Sequence, residues 1–121
     1  MESITATKSY AFAIKIITLY KFLIEQKKEF TLSRQLLRSG TAIGALVRES
    51  NHAESKADFL HKINIALKEA NETEYWLMLL RDTGYISFED YDDIQKHCNE
   101  IIRLLASSVK TTKKNLGRNT F

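Results

Sequence analysis

Hydrophobic positions recur along this chain with the period of a helix. Between Thr7 and Gln26, Tyr10, Ala13, Ile14, Ile17 and Ile24 follow the i, i+3, i+4 spacing of one face. Phe12, Ile16, Leu19 and Leu23 form a second stripe on the same helix. One stripe satisfies a bundle core. Two predict a helix covered on more than one side, by its neighbours in the fold and by another subunit. A second helix is expected from Thr31 to Ala53 on the line Leu32, Leu36, Ile43, Val47. A third begins at Ser55, where Ser55-x-x-Asp58 reads as a variant capping box. It continues through Phe59, Ile63, Ala66, Leu67, Ala70, Leu77 and Leu80 and ends at Gly84, which suits a left-handed C′ position. A fourth opens with Ser87-x-x-Asp90 and carries Tyr91, Ile94, Cys98, Ile101, Leu105 and Val109.

These elements predict an all-α fold, an antiparallel up-down-up-down four-helix bundle with helices near 7–26, 31–53, 56–83 and 88–110. The bundle occupies residues 1–110. Residues 111–121, where the apolar period fades, are expected to form a basic, flexible C-terminal tail. The alternative is a three-helix arrangement with one continuous helix across Asn51–Lys56, against which the cap at Ser55 argues. The absence of proline and the presence of only four glycines favour long helices over a turn-rich β fold. At 121 residues the chain is one domain's worth, able to bury roughly two thirds of its unfolded surface. A lone cysteine, no basic-then-apolar leader and no uninterrupted apolar span predict a cytoplasmic protein without a membrane partner.

Two glycines change the packing picture. Gly40 and Gly44 share a face of the second helix, and each costs about 1 kcal/mol against alanine in a helix interior. Close helix approach is the expected compensation. With Ser55 as the pivot of an antiparallel hairpin, Gly44 faces Ala66 and Gly40 faces Ala70. The same register brings Ile43 to Leu67, Val47 to Ile63, and Arg38 to Glu72 as an ion pair beside the seam.

Charge is unevenly spread. Residues 1–48 hold eight Lys/Arg against three Asp/Glu, residues 49–109 hold six against twelve, and residues 110–121 hold four against none. The formal net charge of +3 therefore hides a basic first half, an acidic second half and a basic end. Such a split suits contacts between the two halves, within a subunit or between subunits. Little else suggests chemistry. His52, His61 and His97 have no metal-ligand spacing, Cys98 sits on an apolar stripe, and Ser39-Gly40-Thr41 lacks a Walker lysine. Glu69, Glu72 and Glu74 read as helix-surface or ion-pair groups. No catalytic residue, cofactor or metal is expected, and the chain does not read as an enzyme.

The stretch Leu36–Ile86 carries a recognisable set of pieces: Arg38-Ser39-Gly40-Thr41 with Ile43-Gly44-Ala45, Ala53-Glu54-Ser55-Lys56-Ala57-Asp58-Phe59, Ile65-Ala66-Leu67-Lys68-Glu69-Ala70, and Tyr75-Trp76-Leu77. In these it resembles the four-helix-bundle family of 23S rRNA intervening-sequence proteins. The flanking helices extend the resemblance to nearly the whole chain. Leu46 and Ser50 depart from the asparagine and alanine usual in that family. The resemblance implies a homo-oligomer, a pentamer of four-helix bundles, encoded in bacteria inside 23S rRNA gene insertions or elsewhere. A related branch, the accessory variability determinant of diversity-generating retroelements, binds nucleic acid and a reverse transcriptase. Two functions follow as expectations. One is nucleic-acid binding, RNA or DNA, through phosphates with little sequence preference. Its candidate contacts are Lys27, Lys28 and Arg34, where the first helix meets the second, and Lys110, Lys113, Lys114 and Arg118 near the C-terminus. The other is an oligomeric scaffold for another protein, without nucleic-acid binding.

Overall fold

The computed structural model describes the backbone of residues 3–119 and the side chains of residues 3–117. It contains four helices: α1 (Ile4–Glu25), α2 (Leu32–Ser50), α3 (Lys56–Asp82) and α4 (Phe88–Asn119). Consecutive helices pack on one another and α1 closes the bundle against α4, so α1 and α3 lie on one diagonal. The described residues contain no strand, and Asn51–Ser55 separates α2 from α3. The fold is the antiparallel four-helix bundle, not the three-helix alternative.

Side-chain hydroxyls set the helix starts. The Ala6 amide donates to Ser3 Oγ at 3.0 Å, which starts α1 three residues earlier than its stripe suggests. Ser55 Oγ accepts from the Asp58 amide at 3.0 Å, and the Asp58 carboxylate accepts from the Glu54 amide at 3.2 Å. Ser87 Oγ accepts from the Asp90 amide at 3.1 Å. Each such cap contributes about 1 kcal/mol. Gly84 ends α3 with φ at 83°, a left-handed conformation that a Cβ would strain.

The core is the sum of the inward stripes: Phe12, Ile16 and Leu23 from α1; Leu36, Ile43 and Val47 from α2; Ile63, Ala66, Ala70, Leu77 and Leu80 from α3; Ile94, Cys98, Ile101 and Leu105 from α4. Burying each of the larger side chains contributes about 1.5–3 kcal/mol relative to exposure. The two stripes of α1 have different fates. Phe12, Ile16 and Leu23 are buried in the bundle, whereas Tyr10, Ile14 and Ile17 are 58%, 53% and 39% exposed. Leu46, where the family usually has asparagine, is half-buried against the core, and buried Ser50 donates to the Val47 carbonyl at 2.6 Å.

Two sequence expectations need correction. The glycines of α2 do not face α3. A Cβ on Gly40 would lie 2.8 Å from Ile16 Cγ1, and one on Gly44 would lie 3.3 Å from the Ser9 carbonyl oxygen, both on α1. Hairpin counting gives the register along the α2–α3 seam but not the rotation of α2 about its own axis. The α2–α3 seam instead holds Ser39 and Thr73, whose buried hydroxyls meet at 3.0 Å. Ala66 and Ala70 remain fully buried, with the Ala70 carbonyl accepting from Cys98 Sγ at 3.6 Å on the α4 side. The second correction concerns the C-terminus. The helix expected to stop near Lys110 runs to Asn119. Thr112 is buried and donates to the Ser108 carbonyl at 2.8 Å, and Leu116 is half-buried four residues on. Lys110, Lys113 and Lys114 are good helix formers, so they continue the helix where the apolar period fades.

Candidate nucleic-acid interface

The turn between α1 and α2 carries the first set of candidate cations. Lys28 adopts φ 52°, a left-handed conformation that lets the Glu29 amide turn back and donate to the Leu23 carbonyl at 3.0 Å. Glu29, 9% exposed, then accepts from the Ser33 amide at 2.8 Å and the Thr31 amide at 3.3 Å, while Ser33 Oγ donates to the Glu29 carbonyl at 2.7 Å. Burial pushes the Glu29 carboxyl up, but the Ser33, Leu32 and Thr31 amides and the Ser33 hydroxyl outweigh it and hold the group below the usual carboxylate range. The amides at the start of α2, a natural anion site, are thus taken by the chain's own carboxylate. Lys27, Lys28 and Arg34 stand exposed around this turn, with Lys27 Nζ 5.8 Å from the Phe22 ring centroid.

Lys110, Lys113 and Lys114 are exposed on the last turns of α4, and the side chain of Arg118 lies outside the described residues. The antiparallel topology puts this set at the opposite end of the bundle from the α1–α2 turn. The length of α1 alone separates the two ends by about 33 Å. Within one chain the structure therefore does not bring the two candidate sets together. It adds two cations that sequence reading overlooked. Lys96 and Arg103 are exposed on α4, at seven-residue spacing before Lys110. That spacing was the available signal, and it was masked because Cys98, Ile101 and Leu105 drew attention to the other face.

Several other cations are occupied. Lys8 pairs with Glu100 at 3.0 Å and Lys15 with Asp93 at 3.7 Å, joining α1 to α4. Arg38 donates to Glu69 at 2.9 Å and also to Glu72, the partner its register anticipates. Trp76 Nε1 donates to Glu72 at 3.0 Å; that bond outweighs burial, and together with Arg38 it lowers the Glu72 carboxyl. Arg81 pairs with Asp82 at 2.7 Å and lies 4.3 Å from the Tyr91 ring centroid.

Cys98 is fully buried, and burial, with Glu74 adding to it, pushes its thiol up to about 12. It therefore stays protonated and weakly nucleophilic near neutrality. His52, His61 and His97 are exposed and separate. Among the described residues no group of three His, Cys, Asp or Glu could hold a metal ion, and no helix is long and apolar enough to cross a membrane. A groove of about 400 Å³ lies between α1 and α4, lined by Ile14, Leu19, Phe22 and Ile94 with Lys15, Asp90 and Asp93 at its rim.

The sequence model of one family, described as 23S rRNA-intervening sequence protein, matches residues 1–107. No curated protein matches the chain. A crystal structure from Bacteroides thetaiotaomicron, of a protein of unknown function from the S23 ribosomal protein family, is similar at 55% identity with a TM-score of 0.88. The likeness covers 88% of this chain and 99% of that one. With a family match spanning both halves of the bundle and a relative this similar along its whole length, the chain belongs to the 23S rRNA-intervening sequence protein family.

Proposed function

We propose that this protein is a non-enzymatic oligomer that binds nucleic acid through backbone phosphates, with little sequence preference. The observation that carries the reading is the pattern of exposed cations. Lys27, Lys28 and Arg34 at one end and Lys110, Lys113 and Lys114 at the other are exposed and held in no ion pair among the described residues. Unpaired cations of this kind suit phosphate contacts, which position a nucleic acid without reading its bases. Repetition in a cyclic oligomer would multiply each set by the number of copies.

Assembly is supported by the apolar faces. Tyr10, Ile14, Ile17 and Phe22 leave the outer side of α1 exposed, and Tyr75 and Met78 do the same on α3, with Phe88 nearby. Because α1 and α3 are diagonal, these faces look in opposite directions. A contact between them is head-to-tail, the kind that closes into a ring when its rotation allows; the pentamer implied by the resemblance is such a ring. The same apolar faces favour the second reading, a scaffold whose partner is another protein. Light scattering on the intact protein and on Ile14→Asp, followed by a gel shift with RNA at low salt, separates the two. An oligomer that dissociates on Ile14→Asp and shifts RNA supports the proposal. An oligomer that shifts neither RNA nor DNA leaves the scaffold reading, and a monomer at micromolar concentration refutes assembly.

A further inference from the structure

We propose that the outward face of α4 is a track for the phosphate backbone of a nucleic-acid double helix; this rests on the nucleic-acid reading above and assigns it a site and a ligand form. Lys96, Arg103, Lys110 and Lys114 lie within about 40° of one another around the helix axis, at 100° per residue. The same geometry sets them opposite Cys98, Ile101 and Leu105, which are buried in the core. All four cations are exposed, and none has an ion pair or hydrogen bond among the described residues. They span 19 residues of continuous helix, 18 steps or about 27 Å, roughly eight base-pair steps of a double helix.

The rest of the face agrees. From Ile94 to the end of the chain there are six Lys/Arg and a single acid, Glu100. Glu100 is already neutralised by Lys8 at 3.0 Å, so no free carboxylate interrupts the row. Asn99 and Ser107 stand between the cations and can donate to phosphate oxygens. Before Lys96 the sign reverses: Glu89, Asp90, Asp92 and Asp93 crowd the first turns of α4 and repel a backbone that strays past the track. Compensation of the helix dipole does not account for the row, because its reach is the last turn and even Lys114 lies five residues before the end of α4 at Asn119. Lys96 and Arg103 sit far inside the helix and need another reason.

The form of the ligand follows from what the track lacks. Between Asp92 and Thr120 there is no Phe, Tyr or Trp, so unpaired bases find no stacking platform. A row of point charges on one continuous helix fits a rigid duplex backbone, whereas a flexible single strand gains its binding from stacking that this face does not offer.

The test is fluorescence anisotropy with a labelled RNA duplex of about 20 base pairs, and with one of its strands alone, across about 50–300 mM salt. The intact protein is compared with Lys96→Gln/Arg103→Gln/Lys110→Gln and with Lys21→Gln/Lys56→Gln/Lys68→Gln, which removes equal charge elsewhere; circular dichroism confirms the fold of each. The intact protein should prefer the duplex. The α4 variant should lose about tenfold or more in affinity and flatten the logarithmic salt slope by about 2.7, whereas the other variant should lose much less. Equal losses in both variants, or a preference for the single strand, would overturn the track. If the intact protein binds and the α4 variant binds as well, only the track fails. If the intact protein binds neither probe at the lowest salt, the nucleic-acid reading itself fails and the track with it.

Discussion

Replacing Gly40 with alanine gives the sign of a single number two opposite predictions. Alanine is a better helix former than glycine, so in an open helix interior the change stabilises by about 1 kcal/mol. Gly40 is not open. Its added methyl would lie 2.8 Å from Ile16 Cγ1, 2.9 Å from Cγ2 and 3.1 Å from Cδ1. Ile16 is fully buried and branched at Cβ, so it has no other rotamer that clears the space at little expense. Overpacking of this kind costs about 1–3 kcal/mol, and three close contacts place it toward the upper end. The net expectation for Gly40→Ala is a loss of about 1–2 kcal/mol, measured as a lower urea midpoint at unchanged slope. A double-mutant cycle with Ile16→Ala should show strong coupling, because the new methyl then occupies space the isoleucine vacates. The same cycle with Ala70→Gly should show little. If Gly40→Ala is stabilising, or couples to Ala70 and not to Ile16, the α1–α2 close approach is wrong.

Two further perturbations probe the α1–α2 turn. Lys28 holds a left-handed conformation that glycine adopts freely, so Lys28→Gly should stabilise by about 1 kcal/mol; a destabilising result in chemical denaturation would mean the lysine side chain anchors the turn. Glu29 is held below the usual carboxylate range in the folded state, so its contribution is present above the unfolded pKa and is lost as pH falls through the folded one. Glu29→Gln should therefore cost about 1 kcal/mol near neutrality, and its difference from the parent should shrink as denaturation is repeated toward pH 3. A difference that stays constant would show that charge is not what caps α2.

The fold was legible because each helix announces itself. The 3.6-residue stripes, the serine caps at Ser55 and Ser87 and the glycine at Gly84 are local signals, and the structure realises them where the pattern puts them. Arg38 and Glu72 were legible as well, since charges beside a hairpin seam depend mainly on register. What failed was rotation. Gly40 sits next in sequence to Ser39, about 100° away around α2, and that step separates the α1 seam from the α3 seam. No count along a hairpin can tell those seams apart. The start of α2 was legible at Thr31, its N-cap residue, but the group that caps it was not: Thr31 makes no side-chain cap bond, and Glu29 reaches forward to the Ser33 amide instead, a pattern no serine or threonine rule describes. The end of α4 was misjudged because apolar period was taken as the only source of helix, whereas Thr112, Leu116 and the lysines sustain it to Asn119. That error also hid the cationic row, since Lys110 read as the end of the helix and Lys114 as tail rather than as the continuation of Lys96 and Arg103.

If backbone phosphates are the ligand, binding must weaken steeply as salt rises. The affinity of the intact protein for an RNA duplex should be measured at several salt concentrations and plotted on logarithmic axes. With about four cations of α4 each displacing a condensed counterion, the slope should be near −3 to −4 for each engaged subunit, an affinity loss of about a hundredfold between about 50 and 200 mM salt. A slope near zero, or no binding at the lower salt, would contradict the account.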